Sequence, residues 1–289
     1  LLSAARFLVP SLLDPQGPSM GVIEEAITMK TGSTEKVALV TGGGRRRVGN
    51  VIAQALAEDG YAIALNYHGS REAAHATVEE MRGVGVSCES FHANVAIQAE
   101  VNALFDGVDQ KFGRLDVLVT TASIWDSVPL EQVTADDLWR DFSVNTLGTF
   151  LCARRAGLRM VEQPEGGAII TIGDWAIERP YLDHSPYFVS KGAIPTLTRT
   201  LAVELSHRNP RVRVNCIHPG PVMFPADCGE DERQELIDST LVNNGNDPRA
   251  VADAVKFLIL NQFVTGICLP VDGGRTIYAG ETTSRKRPI

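Results

Sequence analysis

The sequence is short of several things. No apolar run approaches the roughly 18 residues that mark a membrane span, which excludes a membrane-spanning helix. Cysteine is sparse and unpaired. Cys88, Cys152, Cys216, Cys228 and Cys268 are scattered, odd in number and form no C-x-x-C pair. That argues against a disulfide framework or a spaced zinc motif and for reduced thiols in a cytoplasmic protein. The six histidines form no metal-ligand pattern, so no metal is expected. Positive charge is in deficit: 27 Lys and Arg stand against 35 Asp and Glu, a net charge of −8. An acidic chain has no general attraction for phosphate backbones, so nucleic acid is not an expected partner. Internal repeats and low-complexity tracts are missing as well.

What remains is globular composition. Of 289 residues, 44% are hydrophobic and 21% charged, enough to bury a sizeable core. Residues 1–34 read differently from the rest. "LLSAARFLVPSLL" is apolar and "DPQGPSMG" breaks any helix, without a clear small-residue cleavage site. This stretch is expected to be a flexible leader or a mis-assigned start, with Met20 and Met29 as alternative starts.

From Lys36 onward, short apolar runs such as "KVALVT", "YAIALNY" and "LDVLVTTAS" alternate with helical spacing. Strand–helix alternation with continuously apolar strands predicts a parallel sheet covered on both faces. The alternation is unbroken, so residues 35–280 are expected to form one Rossmann-like, doubly wound α/β domain, with 281–289 a tail. Two long helices are predicted, over "TADDLWRDFSVNTLGTFLCARRAGLRMVEQ" and "SPYFVSKGAIPTLTRTLAVELSHR".

The first strand runs into "TGGGRRRVG" and then a helix. Glycines such as Gly42, Gly43 and Gly49 let backbone N–H groups approach a pyrophosphate, and a helix N-terminus favours the anion. Arg46, Arg47 and Val48 lie in the same turn. The bland alternative is a tight turn needing positive φ. The second strand ends in "LNYHGSR", with no acid before Glu72 to hold a ribose hydroxyl. His68, Ser70 and Arg71 instead suit a 2′-phosphate, which favours NADP(H) over NAD(H).

"YFVSK" places Tyr187 and Lys191 four residues apart on one helical face. A phenol titrates near 10, and a neighbouring ammonium favours the phenolate and lowers that value. Such a phenol can protonate the atom that gains charge during hydride transfer. Alone, the pair is usually structural; after a fifth strand and an upstream dinucleotide turn it is not.

With these motifs, "VNTLG", "RVNCIHPG" and the closing "VDGG", the chain resembles the short-chain dehydrogenase/reductase family over nearly all of residues 36–280. The resemblance implies that Tyr187 is the proton donor and that Lys191 orients the nicotinamide ribose and tunes the phenol. It implies that Asn145 supports a helix bend and a relay water. It also assigns to the dinucleotide Asn94 and Val95 after the third strand, Thr121 and Ala122 after the fourth, Lys191, and Pro219, Gly220 and Val222 after the sixth. It implies a homo-oligomer, commonly a tetramer, and a substrate lid over "PGPVMFPADCGEDERQELIDSTLVNN".

The departures carry information. Asp174 stands where the family has a serine, Thr120-Thr121-Ala122-Ser123 replaces Asn-Asn-Ala-Gly, Asn94 replaces an acid, and the glycine turn is one residue longer. Aspartate at that slot is similar to pteridine and dihydromonapterin (dihydrofolate) reductases, as are Arg47, Trp125 and "FVTGICLPVDGGR". The expected substrate contacts are therefore Arg47, Ser123, Trp125, Asp174 and Tyr187, with Trp125 stacking on a pterin. Tyr187 and Asp174 are expected to titrate together. Arg47 could instead touch phosphate only, and Trp125 could be a core aromatic. The readings weighed are an NADPH-dependent pteridine-type reductase, a carbonyl reductase of 3-oxoacyl thioesters, and a non-catalytic NADP(H)-binding sensor or scaffold.

Overall fold

A computed structural model describes residues 35–225 and 228–278. The expected leader 1–34 and tail 281–289 lie outside the described residues. Seven parallel strands form one sheet: β1 (Val37–Thr41), β2 (Ala62–Tyr67), β3 (Cys88–His92), β4 (Val117–Thr120), β5 (Gly167–Ile172), β6 (Val212–Pro219) and β7 (Cys268–Val271). Their order across the sheet is β3-β2-β1-β4-β5-β6-β7. This is the expected doubly wound α/β fold in a single domain.

The strands are apolar throughout because both faces are covered. β1, β2 and β4 are buried along their whole length. One face packs Val37, Leu39, Leu118 and Ile169 under α3 (Gln98–Phe112). The other packs Ala38, Val40, Val117 and Ile170 against Ile52 and Leu56 of α1 (Val48–Glu58). Successive strand residues alternate between the two cores, as the pleat requires. α2 (Arg71–Gly83) follows β2. α3 ends at Gly113, whose left-handed φ of 75° lets its N–H reach the Asp109 carbonyl.

The two predicted long helices are each divided. The first opens with α4 (Ala135–Asp141), capped reciprocally by Thr134 and Asp137. It passes through a π-helical turn over Phe142–Leu147 and continues as α5 (Gly148–Val161). The second is α6 (Ser185–Gly192) followed, after Ala193, by α7 (Ile194–Arg208). Pro195 at the start of α7 lacks the N–H that would continue the ladder, which accounts for the break. The expected lid carries α8 (Glu230–Asp238), and α9 (Arg249–Leu260) precedes β7.

The sheet order reverses between β1 and β4, which is where a doubly wound sheet opens its ligand crevice. The glycine turn, the segment after β4 and the loop after β5 all leave the same carboxyl edge.

Candidate active site

The crevice closes on a turn that leaves no room for side chains. Gly42 has φ +68°, and a Cβ there would lie 2.6 Å from the Ala122 Cα. A Cβ on Gly49 would lie 2.2 Å from Thr121 Oγ1. The ends of β1 and β4 are also stitched together: Ala122 N donates to Thr41 Oγ1 at 3.3 Å, and Thr121 Oγ1 donates to the Thr41 carbonyl. Asn66, at the end of β2, accepts from Gly42 N through its side chain and from Gly43 N through its carbonyl. Sequence reasoning missed Asn66, because an asparagine inside a strand carries no motif of its own.

Arg47 is the N-cap of α1 and makes no capping bond with its side chain. Arg45, Arg46 and Arg47 are all exposed there. Arg46 leans on Glu80, an exposed pair at 3.4 Å that contributes little. Arg47 and Arg71 have no ion-pair partner among the described residues. His68 and Arg71 are exposed and Ser70 half-buried at the end of β2. A bare glycine cradle, a helix terminus without a side-chain cap and free guanidinium groups fit a pyrophosphate and a further phosphate.

The other expected contacts take assorted positions. Asn94 turns inward, its Oδ1 accepting from Ala96 N at 3.0 Å in the turn before α3. Val95 is buried against Gly148. Val48 opens α1, and Gly220 N donates to the Val271 carbonyl at 2.9 Å, between Pro219 and Val222.

The catalytic candidates converge. Tyr187 Oη donates to Asp174 Oδ2 at 2.6 Å. The second oxygen, Asp174 Oδ1, accepts from Ala176 N at 2.8 Å, which fixes the carboxylate at the start of a 3-10 turn over Trp175–Ile177. Lys191 Nζ donates to the Ile172 carbonyl at 2.8 Å and lies 6.0 Å from the centre of the Tyr187 ring. Tyr187 and Lys191 are only 6% and 4% exposed.

One expectation needs correction here. The ammonium does not pull the phenol down. Burial and the neighbouring Asp174 carboxylate hold Tyr187 well above the ordinary phenol value. Lys191 is itself lowered by burial and spends its proton on a backbone carbonyl. In this state Tyr187 is a firmly protonated phenol.

Asn145 sits inside the π-helical turn and uses every arm of its amide. Oδ1 accepts from Ile124 N at 2.8 Å and Ser123 Oγ at 3.0 Å. Nδ2 donates to the Ile124 carbonyl at 3.0 Å and to Ser190 Oγ at 2.9 Å. Asn145 thus ties the segment after β4 to the helix that carries Tyr187 and Lys191. Ser190 joins this network from inside the "YFVSK" motif, where only Tyr187 and Lys191 had stood out.

Trp125 is not a core aromatic: it is 50% exposed. One face stacks on the His184 ring at 4.6 Å and 20°, and its indole N–H donates to Tyr181 Oη at 3.0 Å. Arg275 lies 4.2 Å from the centre of the Trp175 ring, and Trp175 adjoins Asp174 in the chain. Tyr181, His184 and Trp175 were not expected in this wall, since nothing in their spacing links them to Trp125.

The comparisons agree with this architecture. The family described as enoyl-(acyl carrier protein) reductase matches residues 44–276. The 3-oxoacyl-[acyl-carrier-protein] reductase FabG of Staphylococcus aureus is 36% identical over 247 residues, 83% of this chain and 97% of that protein. A short-chain dehydrogenase/reductase of Pestalotiopsis microspora is 34% identical over 263 residues, covering 83% and 94%. Acetoin dehydrogenase of Enterobacter cloacae superposes with a TM-score of 0.77 at 29% identity, covering 86% and 98% of the two chains. The chain therefore belongs to the short-chain dehydrogenase/reductase family of oxidoreductases.

Proposed function

We propose that the protein is an NADPH-dependent reductase of a flat, pteridine-like C=N substrate, with residues 35–280 as its reductase domain. The observation that carries this reading is the Tyr187–Asp174 hydrogen bond at 2.6 Å, beside the half-exposed Trp125. A serine at position 174 could only polarise a substrate carbonyl. A carboxylate can accept an N–H of a heteroaromatic ring or pass a proton on.

The glycine turn, with Arg47, Ser70 and Arg71 toward the phosphates, would hold NADPH, which when bound would supply the hydride. His68, Asn94, Val95, Thr121, Ala122, Pro219, Gly220 and Val222 would complete its cradle. The remaining chemistry belongs to this chain. Tyr187, kept protonated by burial and by Asp174, holds the proton that the substrate nitrogen needs. Lys191, whose Nζ lies 6.0 Å from the centre of the Tyr187 ring, is the buried cation on the same helix. Asn145 and Ser190 hold the two segments in register. Trp125 offers its uncovered surface, with Ser123 and Arg47, as the substrate wall, and aromatic stacking there is worth about 0.5–1.5 kcal/mol beyond burial. The segment around α8 is assigned as the lid.

A second reading is a carbonyl reductase of 3-oxoacyl thioesters, supported by the 36% identity to FabG. The two separate in one assay: NADPH oxidation with a dihydropterin or dihydrofolate against an acetoacetyl thioester. The pteridine reading expects turnover with the former; turnover with the thioester alone overturns it.

Among the described residues no helix is long and apolar enough to cross a membrane. Leu147 and Phe150 on the π-turn and α5, with Phe257 and Leu260 on α9, are exposed apolar side chains that support assembly into a homo-oligomer, and a tetramer is the proposed form.

A further inference from the structure

The register of β6 against β7 assembles a second chemical cluster. Cys216 pairs with Cys268 across the two strands, and His218 lies two residues beyond Cys216 on the same face. One ligating atom from each of the three lies within 4.8 Å of the others. His218 is 5% exposed, and its Nε2 is buried with no hydrogen-bond partner. A buried ring nitrogen without a partner costs free energy unless something occupies it. The cluster abuts the active-site loop: a Cβ on Gly173 would come within 2.8 Å of His218 Nε2 and 3.2 Å of Cys216 Sγ.

We propose that Cys216 Sγ, Cys268 Sγ and His218 Nε2 form a binding site for a thiophilic divalent cation of the zinc class. Two thiolates and one imidazole are a zinc-type donor set. Tetrahedral Zn–S and Zn–N bonds place such atoms roughly 3.5–3.8 Å apart. The cluster needs to contract by only about 1 Å, which side-chain rotation supplies. Two thiolates also neutralise the cation, so the filled site adds no net charge beneath the sheet edge. Both sulfurs bind a metal as thiolates, so filling the site releases their protons. Cys268 is the half-exposed member and gives the ion its way in. A filled site would clamp the edge strand β7 to β6 behind Gly173 and Asp174.

The full-length chain, reduced and stripped of metal, is the material for the test. Reloaded with Zn²⁺, it should retain one ion per chain through desalting, read by native mass spectrometry. Loaded with Co²⁺ it should show thiolate-to-metal charge-transfer absorption and tetrahedral visible bands. Cys268→Ser should lose about half of the charge-transfer intensity. His218→Asn should weaken Zn²⁺ affinity by more than the roughly 10- to 100-fold typical of losing a supporting residue outside the ligand set. Far-ultraviolet circular dichroism reports whether each variant folds, and the Co²⁺ spectrum of the unaltered chain needs no variant. Substoichiometric zinc, cobalt bands without thiolate character, or affinity unchanged in folded Cys216→Ser and Cys268→Ser chains overturns the proposal. So does a Cys216–Cys268 disulfide whose reduction restores no metal uptake.

Discussion

Tyr187 Oη donates a hydrogen bond to Asp174 across 2.6 Å, and the carboxylate's other oxygen is held by the N–H of Ala176. The phenol is thereby kept in its acid form while remaining oriented by a group that can itself carry a proton. This coupling distinguishes the site from one built on a serine at the same position, and it governs the first two predictions.

Replacing Tyr187 with Phe removes the proposed proton donor without removing the ring from its packing. We expect turnover of any accepted substrate to fall about 10²- to 10⁴-fold, the usual worth of a general acid. NADPH binding, followed by fluorescence, should change little. An unchanged rate would move the protein toward the sensor or scaffold reading.

Asp174→Ser and Asp174→Asn separate substrate from acidity. With Asp174→Ser, dihydropterin reduction should fall about 10- to 100-fold, the equivalent of a charge-assisted hydrogen bond of about 1.5–3 kcal/mol, while thioester reduction should not. The pH profile gives a second readout. A proton donor loses activity as pH rises through its own pKa, and Tyr187 sits well above the ordinary phenol value. The kcat/KM for reduction should therefore show no loss from this group below about pH 10. Asp174→Asn removes a charge that raises Tyr187, so its alkaline limb should begin at lower pH.

Gly49→Ala sets a Cβ against Thr121 Oγ1, at 2.2 Å before relaxation. The clash falls where β1 and β4 meet, so we expect about 1–3 kcal/mol of destabilisation in urea unfolding. NADPH affinity should weaken with it.

Arg71→Ala tests the reading of the 2′-phosphate. NADPH affinity should drop by roughly tenfold or more, as for loss of one charge-assisted contact, with NADH affinity nearly unchanged. Equal losses for both dinucleotides would remove Arg71 from the 2′-phosphate site. Light scattering checks the assembly, for which a monomer at micromolar concentration is the contrary outcome.

Much of this was legible in the sequence for definite reasons. Continuous apolar strands such as "VALVT" and "AIALNY" exist only where both sheet faces are covered, so the architecture follows from them. "YFVSK" fixes Tyr187 and Lys191 on one face through helical geometry alone. What periodicity could not reveal depends on contacts between distant segments. The raised Tyr187 pKa needs its burial, and the stack of Trp125 on His184 joins residues 59 apart in no repeating pattern. The Cys216, His218 and Cys268 cluster shows this most plainly. Spacing along the chain gives no metal motif, whereas strand register creates one.

The π-helical turn at Phe142–Leu147 has a consequence for anyone transplanting this chemistry. The Asn145 side chain makes four hydrogen bonds to three residues, its own carbonyl accepts from Thr149 Oγ1 at 2.7 Å, and Thr146 Oγ1 donates to the Ser190 carbonyl at 2.6 Å. Adding or deleting one residue there would swing the Asn145 side chain by about 100° around the helix axis. The stretch acts as a ruler with one permitted length, so a grafted copy of Tyr187 and Lys191 set beside a helix lacking this turn would arrive without its brace.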